Sequence, residues 1–247
     1  MKKPIIAFGI LTAMSYSAFA QLNLNNSINK ISKEVKSSTK GNGKTALSND
    51  EVVKGLKEAL EIGSKNSSSL ASKTDGFNKN AAIKIPFPPE AIKVKNTMES
   101  MGMKGQVDKF VVTLNRAAEE AAKDAAPVFI SAVKEMSVSD GFTILKGADN
   151  AATNYLKDKT STQLKEKFNP IIKQALQKVQ ITSYWNPIIN KYNQLPGVEK
   201  QNPNLDDYVT TKAMEGLFKL LADEEFKIRK NPTAQVTDLL KKVFGGN

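Results

Sequence analysis

The strongest constraint on the fold is an apolar spacing that only a helix can use. Leu164, Phe168, Ile171, Ile172, Ala175 and Val179 recur at steps of three and four, which puts them on one face at 3.6 residues per turn. The same spacing returns in Val52, Leu56, Ala59, Leu60 and Gly63, and again in Trp185, Ile188, Ile189 and Tyr192. Val107, Val111, Leu114, Ala118, Ala121 and Ala125 form a narrower, alanine-rich stripe that lets a second helix approach closely. No segment alternates with the period of two that marks a half-buried strand. The chain reads as all-α, a compact multi-helix bundle of roughly eight to ten helices with short connections.

Capping and breaking residues set the expected boundaries. Ser48-Asn-Asp-Glu51 is a capping box, and the helix behind it fades into the serines around Ser67. The longest irregular segment runs from Thr74-Asp-Gly-Phe77 to Pro88-Pro89. Its prolines hold it extended, and Pro89 opens a helix reaching Met101. Phe77, Ile83, Ile85 and Phe87 should press this segment against the body. Pro127 interrupts the alanine-rich helix, and a short helix follows Ser139-Asp140 and closes at Gly147. A separate helix carries Ala151, Ala152, Tyr155 and Leu156, and Pro170 bends the one after it. Leu195-Pro-Gly197 breaks the pattern. The final pair runs from Leu205 to about Lys230 and from Pro232 to Phe244, with Val236, Leu239, Leu240, Val243 and Phe244 aligned.

The other end of the chain is of a different kind. Lys2 and Lys3, an apolar run from Ile5 to Tyr16, and Ala18-Phe19-Ala20 have the form of a signal peptide over residues 1–20, cleaved after Ala20. A polar lead-in over 21–47, rich in Asn, Ser, Lys and Gly, should be flexible. Residues 48–247 remain as a single helical domain. The expectation is an exported, periplasmic protein with no transmembrane span in the mature chain. Without cysteine it is not a lipoprotein, and no disulfide supports it. The formal charge of +11, less Lys2 and Lys3, leaves +9. That balance suits anionic envelope partners such as lipid headgroups, lipopolysaccharide or cell-wall polymer, with another envelope protein as a further possibility. Nucleic acid does not fit the compartment or a chain with only two arginines, the residue best suited to base and phosphate readout.

Composition also removes chemistries. With neither His nor Cys, Ser-His-Asp and Cys-His catalysis, ordinary zinc sites and thiol redox work are excluded. No phosphate-binding loop or dinucleotide fingerprint appears, and no cofactor or metal is expected. Ser131-Ala-Val-Lys134 matches S-x-x-K, but so does Ser27-Ile-Asn-Lys30, and the partner motifs are missing. A glycosidase-type carboxylate pair would want exposed aromatics around it, and this chain has one Trp and five Tyr.

The two arginines each lie near paired glutamates: Arg116 beside Glu119 and Glu120, Arg229 after Glu224 and Glu225. On a helical wheel Met214, Leu217, Leu220, Leu221 and Ile228 define a core stripe that takes in Thr210 and Glu224. Glu225 and Arg229 fall on its flank in the favourable i,i+4 order. A carboxylate on an apolar stripe needs a cationic or hydrogen-bonding partner. Arg116 would supply one to Glu224 if its helix were covered on both sides, and would be solvated in a two-layer arrangement. The candidate polar network is Asn115, Arg116, Glu119, Asp140, Asp149, Thr153, Tyr155, Thr210, Glu224, Glu225 and Arg229, with a structural ion-pair network favoured over a ligand site.

Leu114-Asn-Arg-Ala-Ala-Glu119, Ala151-Ala-Thr-Asn-Tyr155, Tyr208-Val-Thr-Thr-Lys212, Gly216-Leu-Phe218 and Leu239-Leu-Lys-Lys-Val-Phe-Gly245 occur in that order. Together with Asp75-Gly-Phe77 and Ile85-Pro-Phe-Pro88 they resemble the bacterial exported family catalogued as domain of unknown function 4197, over about Ser48 to Gly245. The resemblance implies an exported helical domain and no particular activity. The expected role is non-enzymatic binding or scaffolding in the cell envelope. The alternative is a histidine-free enzyme or small-ligand protein that uses an Arg/carboxylate cluster between helices.

Overall fold

The computed structural model describes residues 48–100, 102–178, 185, 190, 193–194, 196–197, 200 and 204–244, and every regular element among them is helical. In chain order these are α1 (Asn49–Ser72), a 3-10 turn (Pro89–Ala91), α2 (Ile92–Ser100) and α3 (Lys104–Ala121). After a 3-10 turn (Ala122–Asp124) come α4 (Ala125–Glu135), α5 (Val138–Lys146) and α6 (Ala151–Lys178). α7 (Leu205–Lys230), a 3-10 turn (Pro232–Ala234) and α8 (Asp238–Phe244) complete the set. Signal segment and lead-in lie outside the described residues, as do Val179, Ile188, Ile189, Tyr192 and Leu195. Among the described residues no helix is long and apolar enough to cross a membrane.

The apolar stripes meet along α6 and α7, which pack on each other; α3 packs on both, and α4 and α5 pack on α6. Leu156, Leu164, Phe168, Ile172 and Leu176 from α6 are fully buried, as are Val209, Ala213 and Leu217 from α7. From α3 come Leu114, Ala118 and Ala121, the alanines keeping the helix surface low enough for close packing. Each large side chain in this core contributes about 1.5–3 kcal/mol by leaving water. α1 lies against α7 and α8. Its Gly63 faces Leu221, Glu224 and Ile228, and at Gly55 an added Cβ would come 2.7 Å from Val243 Cγ2.

Several boundaries differ from the sequence expectation, each for a packing reason. α1 continues to Ser72 because Ser64, Ser67 and Ser68 are buried beside Ala71, and small side chains packed on a neighbour outweigh weak helix propensity. The two helices expected either side of Lys157 are one helix, α6, of 28 residues that runs through Pro170. No Gly or Pro lies between Ala151 and Asn169 to stop it. Its cost at Pro170 is one missing backbone donor. α5 is capped by Ser137 rather than Ser139. Val236 is 65% exposed and precedes α8, so it leaves the terminal stripe.

The irregular segment after α1 is pressed inward as expected. Phe77, Ile83, Ile85 and Phe87 are all buried. Phe87 meets the rings of Phe110 and Trp185 at 4.8 and 5.8 Å. Gly216 on α7 makes room for the segment: a Cβ there would stand 2.8 Å from the Phe77 ring and 3.1 Å from Ile83 Cβ.

Candidate functional site

The polar candidates separate into two staples and several isolated side chains. The first staple ties α3 to the irregular segment. Asn115, with no exposed surface, accepts from Ile85 N at 2.8 Å through Oδ1 and donates through Nδ2 to Ile85 O and Val111 O, both at 2.8 Å. An extended residue followed by Pro86 thus obtains the backbone pairing a strand would otherwise supply. One turn later Glu119 turns the same way. Its Oε1 accepts from Phe77 N and Asn78 N, each at 3.1 Å, and its Oε2 accepts from Arg116 Nη1. Arg116 Nη2 donates to Asp75 Oδ1 at 2.6 Å.

Asp75 has a positive φ of 65°, and Gly76 follows where a Cβ would strike Leu70 O at 2.3 Å. The backbone therefore leaves no room for a side chain at position 76, and Asp75 is of the small class of residues that tolerate the left-handed region. The Asn78 amide, the Lys79 ammonium and Arg116 hold the Asp75 carboxyl well below the usual carboxylate range. Asp75 was not among the candidates. Its partner lies 41 residues away on a helix, and only the Asp-Gly pair inside a long segment pointed to a special turn. Asp140 of the candidate network closes the capping box with Ser137 at the start of α5.

The second staple sits where α5 ends and α6 begins. Glu225 Oε1 accepts from Ala152 N at 2.9 Å, and Oε2 accepts from Thr153 N and Thr153 Oγ1, both at 2.8 Å. A carboxylate on α7 thus caps the first turn of α6, where helix N–H groups lack internal partners. Arg229, four residues on, donates Nε to the same carboxylate at 3.0 Å. It also donates Nη2 to Ile144 O at 2.9 Å and Nη1 to Leu145 O at 3.3 Å. The guanidinium caps the last carbonyls of α5 with the sign its dipole favours. A single Glu–Arg pair closes both helix ends.

This reverses the assignment from the helical wheel. Glu225 is the buried carboxylate, 7% exposed. Glu224 lies at the boundary, accepting from Asn66 Nδ2 at 3.0 Å and Lys227 Nζ at 2.7 Å. The wheel placed the stripe from α7 alone, whereas the N-terminus of α6 decides which glutamate is covered. Arg116 does not meet Glu224, because Asp75 and Glu119 occupy its guanidinium. Asp149 pairs with Lys230 at 3.1 Å on the surface. Tyr155 carries Lys159 Nζ at 5.8 Å from its ring centre, and burial, then Asp140 and Glu135, push its phenol up. Thr210 is fully buried with no partner for its hydroxyl among the described residues.

Arg229 borders a cleft of about 290 Å³ that is also lined by Leu145, Gly147, Asp149, Lys230, Val243 and Phe244. Beside Glu225 and Arg229, walled by Leu56, Leu60, Leu221, Ile228 and Phe244, is a cavity of about 20 Å³, room for a single water. Among the described residues no group of three or more acidic side chains is placed to hold a metal ion.

Residues 46–245 match the family described as a protein of unknown function, DUF4197. The chain belongs to this family. No curated relative and no solved structure matches it. The DUF4197 region opens just before α1 and ends just after α8, so both staples and the irregular segment lie inside it.

Proposed function

We propose that this DUF4197 protein is an exported, non-enzymatic binding or scaffolding protein of the cell envelope that engages anionic material through its lysine-rich helical surface. The observation that carries this reading is how the charges are distributed. Asp75, Glu119, Glu224 and Glu225 are bound within the protein, and both arginines are occupied with them. On α6, by contrast, Lys157, Lys167, Lys173 and Lys178 are exposed and form no ion pair among the described residues. Asp158 and Glu166 are exposed on the same helix, so what α6 offers a partner is a net excess of positive charge, which favours anionic surfaces without fixed geometry. The leader over residues 1–20 supports export.

The test is co-sedimentation of the chain beginning at Gln21 with vesicles of phosphatidylglycerol and phosphatidylethanolamine, against phosphatidylcholine alone, and with purified cell-wall polymer. Binding to an anionic material is expected at low salt. It should weaken as the screening length falls from about 30 Å at 0.01 M to about 8 Å at 0.15 M. Failure to sediment with any anionic material at low salt overturns the reading.

A further inference from the structure

Among the described residues five buried polar side-chain atoms have no hydrogen-bond partner: Ser64 Oγ, Ser68 Oγ, Trp185 Nε1, Thr210 Oγ1 and Asp206 Oδ1. Four belong to hydroxyls and an indole, which stay neutral across the pH range of a folded protein. Asp206 alone can gain or lose a charge, and a charge buried without a partner costs far more than a buried hydroxyl. Its carboxyl stands at the joint of α6 and α7, where Lys165, Glu166, Asn169, Lys173 and Asn204 share with it the walls of a cleft of about 680 Å³. The residue as a whole is half-buried, but Oδ1 is sealed off from water.

The residues on either side explain why this side chain cannot simply turn outward. Leu205 before it is 2% exposed, and Asn204 accepts from Asp207 N at 3.0 Å. Asp207 is tied to Lys165 on α6 at 3.0 Å, and Tyr208 donates to Pro86 O at 3.2 Å. Hydrating Oδ1 therefore requires the first turn of α7 to shift. The surrounding charges do not remove the difficulty. Lys165 is committed to Asp207, and Glu166 on α6 has the same sign as Asp206. Lys173 on α6 favours the ionised carboxyl without closing an ion pair with it, and the α7 dipole acts in the same direction. Neither brings a donor to Oδ1, and burial outweighs Lys173, pushing the Asp206 carboxyl above its ordinary value. We propose that Asp206 is a proton-operated latch on the α6–α7 joint: protonated, it lets the first turn of α7 sit closed on α6, and ionised, it makes that turn open to water more readily. Below the unfolded-chain value of roughly 3.9 the carboxyl is protonated whether the chain is folded or not, and the joint has its full stability. As pH rises through the higher folded value the ionised form costs stability, and that cost is complete once pH lies above it.

The latch needs no ligand and no anionic partner, so it and the envelope reading can each fail alone. Carbon-detected NMR of the chain beginning at Gln21 should give the Asp206 carboxyl a titration midpoint above roughly 3.9, and Lys173→Gln should move that midpoint further up. In urea unfolding, Asp206→Asn should gain on the wild type as pH rises from about 4 to about 7. The readout is the change of this difference with pH, because Asn also alters the charge offered to the α7 dipole at every pH. Amide exchange locates the effect. Asp207 N donates to Asn204 Oδ1 at 3.0 Å and Tyr208 N to Asn204 O at 3.4 Å. Protection of these two amides relative to the core should fall between acid and neutral pH in the wild type and stay level in Asp206→Asn. An Asp206 midpoint at or below the unfolded value, a stability difference that is flat or moves against the variant as pH rises, or wild-type protection that does not change with pH overturns the proposal.

Discussion

Arg116 and Arg229 are both held by a glutamate one helical turn away, yet they serve different structural ends. Arg229 is 11% exposed and joins the ends of two helices to a third. Arg116 is 39% exposed and reinforces a turn whose backbone Glu119 already grips. In the first case the arginine is part of the accounting for buried backbone groups. In the second it steadies a carboxylate that does that task itself. The same short-range sequence pattern therefore carries different energetic weight according to what lies opposite it.

The sharpest way to break this comparison is Glu225→Ala. It leaves Arg229 buried without its carboxylate and uncaps Ala152 N and Thr153 N, and should cost about 3–5 kcal/mol, read from urea unfolding midpoints. A cost near that of an exposed ion pair would remove the distinction between the staples. Next is Gly216→Ala, which drives a methyl into Phe77 and Ile83. About 1–3 kcal/mol is expected from overpacking, with amide exchange accelerated at Phe77 and Asn78 if the irregular segment lifts from α7.

The arginines themselves give a smaller and more pointed contrast. Arg229→Lys should exceed Arg116→Lys, since one ammonium cannot span Glu225 and two carbonyls, whereas the half-exposed Arg116 pair is worth up to about 1 kcal/mol. Equal shifts in melting temperature for the two would contradict the assignment. The smallest effect is in the acid limb. The folded carboxyl of Asp75 lies below its unfolded value of roughly 3.9, so its stabilising contribution is present above that pH and fades as pH falls towards the folded value. The stability gap between wild type and Asp75→Asn should be constant from neutral pH to about pH 5 and narrow below about pH 4. A gap that widens on acidification reverses the sign of this link.

What the sequence conveyed tracks what is local and periodic. The limits of α7 were legible because its apolar spacing runs without a break until Asn231 and Pro232. The burial of Phe77, Ile85 and Phe87 was legible because apolar residues in a proline-held segment must find cover. The choice between Glu224 and Glu225 was not. Neighbours on a helix differ by about 100°, and the deciding contacts come from Asn66 on α1 and from Ala152 and Thr153 on α6. Asp75 was missed for the same reason, since its role depends on a backbone turn and on an arginine that only the folded chain brings near. Of the candidate network, Asn115, Arg116 and Glu119 proved to be neighbours in space as in sequence. Thr153, Glu225 and Arg229 were brought together from two distant helices.

The cap that α7 places on α6 also bears on the order in which the molecule can form. Glu225 reaches back 73 residues to Ala152, and Arg229 reaches back 85 to Ile144. A chain that emerges from its N-terminus presents the corner between α5 and α6 with bare amides and bare carbonyls until its last long helix docks. Closing so distant a contact is slow relative to local helix formation. The corner therefore obtains its caps only once α7 has docked, and a chain truncated before Glu225 would lack the last turn of α7 and the closure of a corner made some seventy residues earlier.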